Sequence, residues 1–188
     1  LNEAIMKKVL YFILIFGLGI VGCSDNTNLT GPEKVESQKS FLKISPTSSG
    51  MLMKTSVTKE IDGEDGGLVP INLETQDEEY GAKGWLYFPR ESFEGEEDIA
   101  VSIVGESEKY AALDFSPSGI DLSLPAHLTI KFNGVEFDDD GKIDFEYIAE
   151  DGSLESVDYR KLIVNREAGI VIVIDAKLDH FSRYGFTK

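Results

Sequence analysis

From about residue 56 onward the apolar residues of this 188-residue chain fall into short runs: "GWLYFP" (84–89), "DIAVSIV" (98–104), "AHLTIKF" (126–132), "KIDFEYI" (142–148), "RKLIVN" (160–165) and "AGIVIVIDAKL" (168–178). The runs alternate or are β-branched, and turn chemistry such as "DGEDGG" (62–67), "DDDG" (138–141) and "EDGS" (150–153) separates them. In "FPRESFEGEEDI" (88–99), Pro89 and Gly95 limit any helix to a turn or two. The pattern predicts roughly six to nine short strands in an all-β antiparallel sandwich. Trp85, the only tryptophan, is assigned to a core strand.

The start of the chain has a different grammar. Lys7 and Lys8 precede an unbroken apolar or glycine run from Val9 to Gly22, shorter than a comfortable membrane span and flanked like a secretory signal. The run ends in Ile20-Val21-Gly22-Cys23, which resembles the lipobox of bacterial lipoprotein precursors. The resemblance implies that Cys23 is lipidated and becomes the first mature residue, and that the true start is Met6. Cys23 is the only cysteine, so no intramolecular disulfide can form, and acyl chains on it would retain the protein on a membrane. Ser24 after the cysteine implies, by the same family pattern, the outer membrane.

Residues 24–55 are rich in Ser, Thr, Asn, Lys and Glu and poor in clustered apolar residues, which predicts a disordered tether. Residues 56–188 are enough for one domain with its own core and too few for two.

Within that domain a Gly66-Gly67 pair is followed by "GWLYFPRESFEGEEDIAVSI", then "FSPSGIDLSLPAHLTI" (115–130), then a terminal "HFSRY" (180–184). This order of motifs resembles the ZU-five domain family. The central segment is similar to the family's Pro-x-Gly-x-x-Phe-x-x-Pro-x-x-Leu-x-Ile pattern, with Leu122 where an aromatic is common. An acidic insertion at 74–79 departs from it. The resemblance implies a β-sandwich. In autoproteolytic members of the PIDD type a His-Phe-Ser triplet is a self-cleavage site, and His180, Phe181 and Ser182 stand at the matching positions.

The chemistry of such a cut is intelligible from the residues. The Ser182 hydroxyl would attack the Phe181 carbonyl in an N-to-O acyl shift, and water would hydrolyse the ester. This needs a distorted peptide and a base, for which histidine is suited. The alternative is purely structural, with Phe181 a core residue and His180 and Ser182 on the outer side of a closing strand. A structural or protein-interaction module of the cell envelope and an autoproteolytic domain both stand at this point.

"EFDDDGKIDFE" (136–146) has the acid content of a calcium loop, with Asp138 and Asp140 as weak candidate ligands. Tyr147 occupies the place of the bidentate Glu and no helices flank the loop, so a solvated hairpin turn is expected instead. His127 and His180 are the only histidines, too few for a convincing zinc site. No glycine-rich phosphate loop and no Gly-x-Ser-x-Gly elbow occurs, so neither a cofactor nor an external substrate is expected. A carbohydrate-binding sandwich is weakened by the assignment of Trp85 to the core. The net charge of −16 would repel phosphate backbones and excludes nucleic acid as a natural partner.

Overall fold

The computed structural model describes residues 39–45, 55–75, 80–105, 108–120, 122–138, 140–149 and 151–188. The lipidation expected at Cys23 lies outside them. Thirteen strands form among the described residues: β1 (Lys43–Ile44), β2 (Ser56–Asp62), β3 (Gly67–Glu74), β4 (Gly81–Phe88), β5 (Glu96–Ile103), β6 (Lys109–Tyr110), β7 (Ala112–Ser116), β8 (Ala126–Asn133), β9 (Asp144–Ile148), β10 (Leu154–Ser156), β11 (Tyr159–Asn165), β12 (Ile170–Leu178) and β13 (Arg183–Thr187). They pair antiparallel throughout, as the run lengths and turn signals predict. One sheet has six strands, in the order β10-β9-β13-β7-β5-β2, and one has five, in the order β11-β12-β8-β4-β3. Strands β1 and β6 make a small third pair.

The period-two pattern explains how the two large sheets share one core. In β8, Ala126, Leu128, Ile130 and Phe132 are buried while His127, Thr129 and Lys131 are only partly covered. In β5, Ile99, Val101 and Ile103 point the same way towards the interior. Aromatic rings join the sheets: Phe132 of β8 meets Phe186 of β13 edge-on at 5.9 Å between centroids, and Phe186 meets Phe145 of β9 at 5.1 Å.

Strand β13 runs in the interior of the six-stranded sheet, between β9 and β7. Tyr184 stands opposite Tyr147 on one side and Leu113 on the other. Its small residue is required there: a Cβ on Gly185 would come within 2.5 Å of the Ala112 Cβ. Where β7 ends, residues 40–42 take over its edge. The Leu42 N–H donates to the Phe186 carbonyl at 3.0 Å, and Ser40 and Lys188 exchange backbone hydrogen bonds at 3.2 and 3.0 Å.

Two expectations are corrected here. The tether predicted for residues 24–55 does not extend through 39–45, because Leu42 and Ile44 are buried in the common core and Lys39 forms a 2.6 Å ion pair with the buried Glu146. Composition misses this segment because two apolar side chains suffice when the remaining surface is supplied by strands far away in sequence. The Asp-Gly turn near 138–141 is not a hairpin: β8 belongs to the five-stranded sheet and β9 to the six-stranded one, so the loop crosses between sheets. Alternation specifies which side chains face inward, not which strand is the neighbour. Between β4 and β5 the chain makes a turn at Arg90 and Glu91 and bends through 92–95, with no helix there, as its proline and glycine predict.

Leu42→Ala is expected to lower stability by about 2–4 kcal/mol, the cost of a core truncation, where a tether residue would change it by no more than about 0.5 kcal/mol. Urea unfolding of the full chain measures the difference.

Candidate functional site

The His180-Phe181-Ser182 triplet occupies the bend between β12 and β13. Phe181, 3% exposed, is inserted between the sheets, 5.7 Å from Phe88 of β4 and 5.9 Å from Phe115 of β7. Phe88 in turn meets Phe93 edge-on at 5.6 Å. Such ring pairs add about 0.5–1.5 kcal/mol each beyond simple burial. Phe181 is therefore a core residue, although it precedes the final strand instead of lying in it.

The flanking residues are held by different contacts. The Tyr184 phenol, one turn of chain further on, donates to the His180 carbonyl at 2.8 Å and lies 3.0 Å from His180 Nδ1. A phenol has one proton, so with that proton on the carbonyl the second contact needs Nδ1–H as the donor, and the Nε2 nitrogen keeps its lone pair in the neutral ring. The His180 ring also packs edge-on against Tyr147 at 4.4 Å. Ser182 is half-buried, and its carbonyl accepts the Phe115 N–H at 2.9 Å. No hydrogen bond joins the Ser182 hydroxyl to His180 among the described residues. Their non-glycine positions with left-handed backbone are Glu91 and Asp175, neither of them in the triplet. Base and hydroxyl are thus near each other by sequence alone, while the fold ties the imidazole to Tyr184 and Tyr147.

The acidic loop is charge-paired. Asp138 meets Lys188 at 2.8 Å, and the neighbouring ammonium holds its carboxyl below the usual range. Asp140 approaches Arg166 at 4.0 Å, and that guanidinium also donates to the Gly141 carbonyl at 2.6 Å. No cluster of three or more His, Cys, Asp or Glu side chains suited to a metal occurs among the described residues. His127 lies in β8 of the five-stranded sheet, whereas His180 packs against Tyr147 of the six-stranded one.

Trp85 is where the sequence expectation fails. It is 46% exposed, on the outer face of the five-stranded sheet, together with Tyr87 at 44% and Leu68 at 43%. In "GWLYF" four apolar residues follow one another, so alternation is invisible and both phases are compatible with the run. The inward phase belongs to Leu86 and Phe88, which are fully covered. A second feature that the sequence conceals is how charge divides between the sheets. The strands of the five-stranded sheet carry Lys83, Lys131, Arg160, Lys161 and Lys177 against Glu74 and Asp175, a formal +3. The strands of the six-stranded sheet carry two acids on β2, three on β5, one on β7, two on β9 and one on β10 against Lys59 and Arg183, a formal −7.

The fold and these surfaces define an all-β sandwich with an aromatic, basic outer face on one sheet and an acidic outer sheet opposite. No family model, curated protein or solved structure matches the chain.

Burial raises the Tyr184 phenol well above its ordinary pKa. The folded state therefore resists forming the tyrosinate, and the stability this contributes is complete below about pH 10 and lost as pH rises beyond it. Tyr184→Phe is expected to cost about 1–2 kcal/mol at neutral pH through its lost hydrogen bonds, and to flatten the alkaline decline. Denaturant melts at pH 7 and above pH 10 give both quantities.

Proposed function

We propose that the chain is an exported, lipid-anchored protein of the cell envelope, attached through Cys23 to the outer membrane, and that its β-sandwich acts as a structural or protein-interaction module. The anchor rests on the resemblance of residues 6–23 to lipoprotein precursors. The observation that carries the structural role is the use made of the closing motif. Phe181 fills the space between Phe88 and Phe115, and the His180 ring is bound to Tyr184 and Tyr147, so packing accounts for two of the three residues.

The second reading is self-cleavage between Phe181 and Ser182, favoured by the adjacency of an imidazole whose Nε2 keeps its lone pair to a serine in a bend. The Ser182 oxygen would bond to the Phe181 carbonyl carbon as its C–N bond breaks, leaving an ester and a free amine. Water would then release Phe181 as a carboxylate and restore the hydroxyl. The product 182–188 would stay in place, since β13 is paired on both sides.

Intact-mass measurement under denaturing conditions separates the readings. The structural reading expects the uncut chain after prolonged incubation, identical in behaviour to Ser182→Ala. Loss of the last seven residues in wild type alone establishes self-cleavage. For the anchor, Cys23→Ser is expected to release the protein from membranes on fractionation, and continued tight binding contradicts the assignment.

A further inference from the structure

The outer face of the five-stranded sheet has an organisation that the structural role does not use. Trp85 stands opposite Pro70 on β3, and Tyr87 opposite Leu68, so two aromatic and two aliphatic side chains form an exposed plate two strands wide. On the other side of β4, Thr129 and His127 stand opposite Trp85 and Tyr87. Between Val173 and Ala176 strand β12 carries one residue more than β8, so Ile174 and Asp175 together face Thr129. Asp175 adopts a φ of 60°, donates its N–H to Thr129 Oγ1 at 3.1 Å, and sets its carboxylate 2.7 Å from His127 Nδ1. The bulge thereby holds the imidazole 6.3 Å from the Tyr87 ring. Bulges commonly re-aim a side chain beside a functional surface.

The basic residues on the strands of this sheet outnumber the acids there, although Lys177 is paired with Asp158 at 3.1 Å. Lys83 and Lys131 share the single buried carboxylate of Glu74, at 3.4 and 3.6 Å. Arg160 and Lys161 on β11 are exposed and make no ion pair among the described residues. Strand β11 lies three strands from β4, about 14 Å at the usual spacing, so only an extended ligand crossing the strands meets both the rings and these cations.

A second copy of the chain is a poor occupant. Face against like face, it would oppose a formal +3 to a formal +3. Face against the other sheet, the charges would attract, but Trp85 and Tyr87 would be laid over outward carboxylates such as Glu60, Asp62, Glu96 and Asp98, and the head-to-tail contact would not be self-complementary. A polymer that offers flat apolar faces, hydroxyl groups and dispersed negative charge satisfies the rings, the Thr129, His127 and Asp175 side chains, and the cations together.

We propose that this face binds an anionic polysaccharide, its sugar rings stacked on Trp85 and Tyr87 and its acidic groups met by the basic side chains across the sheet. Trp85 is the sole tryptophan, so intrinsic fluorescence of the full-length chain in detergent reports on the site directly. Polygalacturonate and dextran sulfate, as carboxylate and sulfate sources, are the probes. At least one is expected to change Trp85 emission saturably. Methyl-esterified polygalacturonate or unmodified dextran is expected to bind at least about tenfold more weakly than its charged counterpart, and Tyr87→Ala and the double variant Arg160→Glu, Lys161→Glu to weaken binding by about tenfold with unchanged unfolding midpoints. Unchanged emission with both charged polymers overturns the proposal, as does equal binding of the uncharged ones. Equal response to poly-L-glutamate assigns the face to an acidic protein segment, and response to oligo-dT assigns it to single-stranded nucleic acid; either overturns the polysaccharide and leaves the anchored module as proposed.

Discussion

The sandwich depends on a seam of phenylalanines between its sheets. Phe181 contacts Phe88 from one sheet and Phe115 from the other, and Phe186, five residues later, contacts Phe132 and Phe145 in the same manner. Both belong to the last stretch of chain. Strand β13 is therefore the central plank on which β9, β7 and the 39–45 segment are assembled, and it brings the core rings with it. Because the pairings of β13 span the whole domain in sequence, the core forms only when the C-terminal residues are in place, a topology of high contact order.

That position gives the closing motif its character. A His-Phe-Ser triplet in an exposed tail would be free to adopt a reactive geometry. Here the phenylalanine is committed to the core, and Tyr184 inside the next strand reaches back to hold the histidine by its carbonyl and its Nδ1. Burial of the phenol, which keeps it protonated, and the constraint on His180 have one origin: β13 lies in the sheet interior, so side chains beside it are packed from several directions.

The two sheets divide their work by charge as well as by packing. Nine acids concentrate on the strands of one, while the other collects most of the strand-borne lysine and arginine and exposes Trp85 and Tyr87. A net charge of −16 averaged over the surface hides this polarity. The averaged figure argues soundly about bulk repulsion and says little about what one face can bind, since fields from opposite sheets are screened from one another over about 8–10 Å at ordinary salt.

Sequence alone determined the all-β class, because short alternating or β-branched runs and the turn residues between them act locally. It also made the candidate triplet visible, since three adjacent residues need no folding to be neighbours. Tertiary structure decided the rest. The phase of "GWLYF" was undetermined in a run apolar at every position, and the packing of Leu86 and Phe88 resolved it by turning Trp85 and Tyr87 outward. The inclusion of Leu42 and Ile44, the crossing of the 138–141 loop between sheets and the Tyr184 clasp on His180 all come from strand order. Period-two patterning constrains faces but carries no information about which distant strand lies alongside.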